Sequence, residues 1–361
     1  MNRSLAASLV LLIAITGFGC GKSPSNPPAA GESATEADGS PALLTFQRGA
    51  MGTRFTIRVW VESSARAEAA QAAADAAFAR ILDLERIFSD YRADSEIVKL
   101  AARPAGMPVP VSRELLAVLD RTQRLSRETG GAFDVTLGPM IRLWRQSRKN
   151  TALPTEERLA DARARSGWQK VEIDREAPAV TLAMDRMVLD FGGVAKGYAA
   201  DEALAILRRR GFPRSLVAGS GDIALGDPPG GKSGWRIGIR SLDVALAETP
   251  EDLSGTVELA NAAISTSGDT EQSIVIGGVR YSHIVDPKTG LGLTERIAVT
   301  VIGPDAATTD SLATAVSVLG REKGLALIES KPEVECLIQM AGEGQAVSET
   351  RSIGFPAVAG P

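Results

Sequence analysis

From Phe55 to Val61 the chain alternates, with Phe55, Ile57, Val59 and Val61 apolar and Thr56, Arg58 and Trp60 between them. Side chains of a strand point to opposite faces in turn, so this spacing predicts a half-buried β-strand just after Met51-Gly52-Thr53. The period then lengthens. Across the alanine-rich stretch 65–88, Phe78, Ile81, Leu82, Leu84 and Phe88 fall close to one stripe, which predicts a long amphipathic helix. A second helix is predicted over 112–129, with Ser112 as N-cap and Gly130 as stop, followed by a loop from Gly131 to Pro139 that leads to Trp144.

Short strands are predicted at 170–173, 180–182 and 188–191, the last broken by Gly192-Gly193 before a helix over 196–210 that Gly211 stops. Further strands are predicted at 235–239, 256–259, 274–276 and 297–302. A last helix, 311–319, carries Leu312, Ala315, Val316 and Leu319 on one face. Strands and helices mix without strict βαβ alternation, which predicts an α+β fold: a single large domain with a mixed, largely antiparallel sheet and flanking helices. Ser215-Leu216-Val217-Ala218 followed by Gly219-Ser220-Gly221-Asp222-Ile223-Ala224 mimics the strand and turn of a dinucleotide fold. That fingerprint needs a helix directly afterwards, and Gly226-Asp227-Pro228-Pro229-Gly230-Gly231 forbids one, so a structural turn is expected instead.

The N-terminus changes the picture of where the domain works. Asn2-Arg3 precedes an apolar run, Leu5 to Ile15, that is too short to span a bilayer, and residues 1–19 read as a signal peptide. The run ends at Gly17-Phe18-Gly19-Cys20, which resembles a bacterial lipobox, although an aliphatic residue is more usual where Gly17 stands. Lipidated Cys20, a polar tether over 20–41 and a folded domain over 42–361 make the expected product a membrane-anchored lipoprotein on the extracytoplasmic, periplasmic side. The remaining cysteine, Cys336, lies in an apolar stretch and is expected in a buried strand, so neither a disulfide framework nor a cysteine-based zinc site is possible in the domain. Charge is interspersed, 40 basic against 44 acidic residues without a basic block, and nucleic acid is not an expected partner.

Candidate chemistry begins with His283, the only histidine, in Tyr281-Ser282-His283-Ile284-Val285-Asp286-Pro287-Lys288-Thr289-Gly290. One imidazole means one side chain that titrates near neutrality, and it reads either as a general base or as a strand-end residue bonded to a neighbour. Asp190 to Tyr198 ends a strand, passes two glycines and starts a helix with Lys196. Such a junction can take pyrophosphate, with the Gly193 carbonyl turned to a metal, or it can be a tight turn with a solvated lysine. Asp310 and Thr314, four residues apart, share a helical face and offer hard oxygen ligands suited to Mg²⁺, unless Asp310 serves as the cap of that helix.

Taken in order, these segments resemble the ApbE family, the flavin transferases that attach FMN covalently to other proteins. The resemblance runs from Met51-Gly52-Thr53 through Phe88-Ser89-Asp90-Tyr91, Gly130 to Pro139 with Trp144, Asp190 to Asp201, Thr266-Ser267-Gly268-Asp269 and Tyr281 to Gly290, to Asp310-Ser311-Leu312-Ala313-Thr314. It implies an enzyme that takes FAD, uses Mg²⁺ and moves the FMN portion onto a threonine hydroxyl of an acceptor flavoprotein, such as a subunit of a membrane redox pump, releasing AMP. By that resemblance Met51, Tyr91, Ala132, Phe133, Asp134, Asp190, Lys196 and Val285 contact FAD, Gly193, Asp310 and Thr314 hold the metal, and His283 activates the acceptor hydroxyl. Two departures stand out: Ala218-Gly219-Ser220-Gly221-Asp222 replaces the more usual Asn and Gly-Gly-Asp, and Ala313 sits where some members carry a further metal-associated acid. Two rival readings use the same residues, an FAD pyrophosphatase giving FMN and AMP and a non-catalytic flavin-binding lipoprotein.

Overall fold

The structure, a computed structural model, describes residues 39–242, 253–268, 273–342, 344 and 346–360. The signal peptide, Cys20, most of the tether and Asp269 lie outside the described residues. Along the chain the elements are β1 (Ala42–Ala50), β2 (Thr53–Val61), α1 (Ala67–Phe88), α2 (Glu96–Ala101), β3 (Val109–Pro110), α3 (Arg113–Glu128), α4 (Gly138–Asn150) and α5 (Glu156–Ala164). There follow β4 (Val171–Asp174), β5 (Ala179–Leu182), α6 (Ala195–Arg209), β6 (Ser215–Gly219), β7 (Asp222–Leu225), β8 (Trp235–Arg240) and β9 (Leu253–Leu259). The chain continues through β10 (Ala263–Gly268), β11 (Ile274–Ile276), β12 (Val279–Tyr281), β13 (Arg296–Gly303), α7 (Ala306–Glu329), β14 (Glu335–Ala341) and β15 (Ser348–Arg351).

Eight strands form one sheet in the order β1-β2-β6-β7-β10-β13-β14-β15, and every neighbouring pair is antiparallel. The alternation seen at 55–61 survives: Phe55, Ile57, Val59 and Val61 all pack into the main core, which α1, α6 and α7 cover. On the opposite face Leu216, Ala218, Ile223, Leu225 and Ile302 meet Trp235, Ile237 and Val257 of the β8–β9 hairpin. The central strands are therefore buried on both sides. Gly219 pairs with Asp222 across a two-residue turn, so the segment that mimics a dinucleotide fold is a β-hairpin, with Ser220 at a positive φ of 62°.

Four boundaries differ from expectation. Residues 188–191 join no sheet; instead Asp190 N donates to Val135 O at 2.7 Å. The stretch 131–139 is a loop only at its start, since a 3₁₀ turn at Val135–Leu137 runs into α4, whose first turn accommodates Pro139. The helix expected over 311–319 starts five residues earlier, because Asp305 is its cap: Asp305 Oδ1 accepts from Thr308 N at 2.8 Å. It breaks at Gly320, φ 74°, before continuing. Asp310 is thus interior to α7, and the capping alternative for it falls away.

Two contacts fix the elements that carry the chemistry. Helix α6 lies so close to α7 that a Cβ on Gly197 would sit 2.1 Å from Ala306 O. From α6, Asp201 accepts the first free amides of α7, Ala306 N at 2.8 Å and Ala307 N at 2.9 Å, which satisfies donors that a helix start leaves open. Around α4 a third core gathers Met140, Leu143, Trp144, Ile276, Tyr281 and Val285.

Candidate active site

A cavity of about 440 Å³ opens where these parts meet: the start of α6, the β6–β7 turn, the ends of β10 and β13, the second turn of α7, the loop before α4, and residues 283–285. His283, Tyr91, Ala132, Phe133, Asp134, Asp190, Gly193, Lys196, Val285, Asp310 and Thr314 all line it. Met51 does not. It forms the corner of the β1–β2 hairpin at φ 50°, donates its N–H to Glu85 Oε1 at 2.9 Å and packs on the main core.

At one end sits a buried charge cluster. Lys196 Nζ lies 2.6 Å from Asp222 Oδ2 and 3.6 Å from Asp310 Oδ2. Burial opposes the ammonium, but the two carboxylates outweigh it and hold the lysine above its usual range. Burial pushes the Asp310 carboxyl up to about 7, and the neighbouring Asp222 charge pushes the same way. One ammonium offsets only one of the two acids, so Asp310 takes either a proton or a further cation beside it. Gly197 N, in the first turn of α6, donates to Asp310 Oδ2 at 3.1 Å and ties that carboxyl to the helix start. A Cβ on Gly193 would meet Thr314 Oγ1 at 3.0 Å, so that backbone and the Thr314 hydroxyl are neighbours. The Asp310 carboxylate, the Thr314 hydroxyl and the Gly193 backbone all line this cavity, and hard oxygens of that kind are the donor chemistry that suits Mg²⁺. Among the described residues there is no group of three or more His, Cys, Asp or Glu side chains arranged to hold a metal ion.

His283 lines the same cavity. The segment is pinned by Trp144, whose Nε1 donates to Ser282 O at 2.9 Å while its ring meets Tyr281 edge-on at 5.3 Å between centroids. Ser282 N bonds Leu293 O at 2.7 Å, and the Ser282 hydroxyl is spent on Ile284 N. Burial lowers the imidazole to about 4, and Arg148 and Lys196 add to the effect, so it is neutral at physiological pH. Its Nδ1 is buried and has no hydrogen-bond partner among the described residues. Asp286 takes no part in the cavity; its Oδ1 accepts from Lys288 N, and the turn closes through Gly290 N to Asp286 O at 2.8 Å.

The far end is aromatic and carboxylate-rich. Asp134 spends most of its capacity locally: Oδ1 accepts from Thr136 N and Oγ1, both at 2.7 Å, and Oδ2 accepts from Trp168 N at 2.9 Å. Burial raises its pKa, against those hydrogen bonds. It shapes the loop that presents Ala132 and Phe133. Burial likewise raises Asp190, which Arg145 opposes from 2.7 Å, and Asp190 Oδ1 accepts from Gly192 N at 2.8 Å. Tyr91 is 78% exposed at the rim.

Sequence reasoning missed Asp222, Arg145, Arg148 and Ser267, which also line the cavity. Asp222 had a signal, being the last residue of a glycine-rich loop whose role was open. Arg145 had only its position next to Trp144.

Comparison with known proteins extends the picture. The sequence model described as "ApbE family" matches residues 51–338. A protein of Treponema pallidum named FAD:protein FMN transferase is 33% identical over 301 residues, covering 80% of this chain and 82% of its own. A protein of the same name from Vibrio cholerae is 32% identical over 259 residues, 71% of this chain and 76% of that one. Among solved structures, the flavin transferase ApbE from Vibrio cholerae superposes with a TM-score of 0.76 at 28% identity, covering 87% of this chain and 98% of the other. The apo flavinyl transferase ApbE of Pseudomonas stutzeri gives 0.74 at 30% identity, over 89% and 98%.

Proposed function

The chain belongs to the ApbE family, and on that premise we propose that it is an FAD:protein FMN transferase, an enzyme that uses FAD as substrate and attaches FMN to an acceptor flavoprotein. The observation that carries the reading is the pairing, in one cavity, of a buried lysine–carboxylate cluster with a neutral imidazole.

The acceptor group in this reading is a threonine hydroxyl, and the metal is Mg²⁺ held by the Asp310 carboxylate, the Thr314 hydroxyl and the Gly193 carbonyl. When bound there, Mg²⁺ would supply positive charge to offset that of the pyrophosphate. Lys196, kept protonated by Asp222 and Asp310, neutralises phosphate oxygen charge. His283 takes the hydroxyl proton as the threonine oxygen bonds the flavin-side phosphorus; the bridging oxygen leaves with AMP, and FMN stays on the protein as a phosphoester. Tyr91, Ala132 and Phe133 supply surface for the flat ring, and Asp134, Asp190 and Val285 shape its surroundings. The lipoprotein and periplasmic reading of the N-terminus suits acceptors such as subunits of membrane redox pumps.

The test uses such a subunit as acceptor and reads flavin fluorescence that stays with it through denaturing electrophoresis. The label is expected with FAD and Mg²⁺, to vanish with a chelator, and to be absent from an acceptor whose target threonine is valine. Asp310→Ala is expected to raise the Mg²⁺ requirement sharply. Labelling that survives chelation would contradict the metal assignment, and labelling of the valine acceptor would contradict the threonine.

A further inference from the structure

Arg145, on α4, joins three partners at the edge of the site. Its Nη1 reaches Asp90 Oδ2 at 2.5 Å, its Nη2 reaches Asp190 Oδ2 at 2.7 Å, and its Cζ lies 4.7 Å from the centroid of the Tyr91 ring. These partners come from two segments far apart in the chain, one following α1 and one leading into the Gly192-Gly193 turn. Both carboxylates are nearly sealed from solvent, with side-chain exposures of 9% and 7%. A guanidinium suits this junction because its edge donates to two acids while its plane stays free for a ring. Lysine offers a point charge instead, with no plane to lay against a phenol.

Tyr91 is the most exposed aromatic side chain described, yet it stands at the mouth of the cavity where a flat ring would enter. An aromatic side chain so exposed gains little from core packing, and a ligand that had to order it on arrival would lose affinity. The cation behind the ring meets that need before binding.

We infer that Arg145 is a positioning residue: it presets Tyr91 as the wall on which the flavin ring stacks and, through Asp190, ties that wall to the turn that flanks the pyrophosphate end. The inference rests on the proposed flavin transfer, since it takes the flat ring to be the isoalloxazine of FAD. Arg145 touches no reacting atom. Its effect is on where the ring is held, so it belongs in the affinity for FAD more than in the chemical step.

The test is FAD binding followed by flavin fluorescence, together with melting temperature and transfer kinetics, for the full chain and for Arg145→Lys, Tyr91→Ala and the double variant. Wild type is expected to quench the bound flavin. Arg145→Lys, which keeps a cation between the two acids, is expected to melt close to wild type, to lose the Tyr91-dependent quenching and to weaken FAD binding by about tenfold, with KM moved more than kcat. In the double variant the loss is expected to match Tyr91→Ala alone within about twofold, because a residue acting through Tyr91 has nothing to position once the ring is gone. Wild-type quenching and affinity in Arg145→Lys would overturn the inference, as would penalties that add in full. If the lysine variant melts far below wild type, Asp90→Asn carries the same test, since it releases one anchor and leaves Arg145 in place; unchanged quenching there overturns the inference. Failure of wild type to bind FAD would instead remove the flavin reading itself, with Arg145 falling alongside it.

Discussion

His283 is held at about 4 by its burial and by Arg148 and Lys196, so the residue is ready to accept a proton but is a weak base in the free protein. In the proposed reaction, bound pyrophosphate would bring negative charge beside the imidazole and raise its proton affinity, strengthening it as the base for the acceptor hydroxyl. His283→Asn keeps hydrogen-bonding capacity and is expected to slow transfer by about 10²- to 10⁴-fold with FAD affinity little changed. The acid limb of kcat/KM in wild type is expected nearer pH 4 than 6.5, that of kcat higher, and both are absent from the asparagine variant. The same depression bears on stability. The imidazole sits below its unfolded value, so its contribution is present above pH 6.5 and is lost as pH falls from there through about 4. Melting temperature against pH, compared between wild type and His283→Asn, checks that sign. Residue identity was readable here because the chain has one histidine, whereas the pairing of Lys196 with Asp222 was not, since it joins the start of α6 to a hairpin turn that sequence distance does not connect.

At the scale of elements the site depends on the close crossing of α6 and α7. Gly197→Ala would force a methyl group into the Ala306 carbonyl and part the helices that carry Lys196 and Asp310. Overpacking of this kind is expected to cost about 1–3 kcal/mol or more, and the rate should fall further than stability alone explains. Urea midpoints and transfer rates measured at a temperature where the variant is folded separate the two effects. An unchanged rate would mean that the crossing does not set the site's geometry. The strand at 55–61 and the helix that became α1 showed their period, and α3 and α6 were marked by their ends, the Ser112 cap and the glycine stops at Gly130 and Gly211. The strands β6 and β7 showed no alternation, because burial on both faces replaces it with short apolar runs, Leu216 to Ala218 and Ile223 to Leu225. Residues 188–191 failed in the other direction, showing strand composition but bonding to the turn before α4 instead of to a sheet.

For the whole molecule, seven short segments scattered from Met51 to Thr314 named the family before any geometry, and all but one of the site residues they suggested line one cavity. What they could not supply was the packing that joins them, which runs through Trp144, Arg145 and the two glycine contacts. No described helix is long and apolar enough to cross a membrane, so the anchoring proposal rests on the sequence around Cys20. Cys20→Ala is expected to move the protein from the membrane fraction to the soluble one while preserving activity on a soluble acceptor; unchanged membrane partition would sink the lipoprotein reading. The central claim is that FMN leaves FAD for a protein and not for water. The direct measurement incubates the full chain with FAD, Mg²⁺ and a redox-pump subunit, then compares AMP released with FMN bound to intact acceptor by mass spectrometry. The account predicts one acceptor-bound FMN for each AMP, with little free FMN. AMP matched by free FMN on an unmodified acceptor, or FAD recovered unchanged, would contradict it.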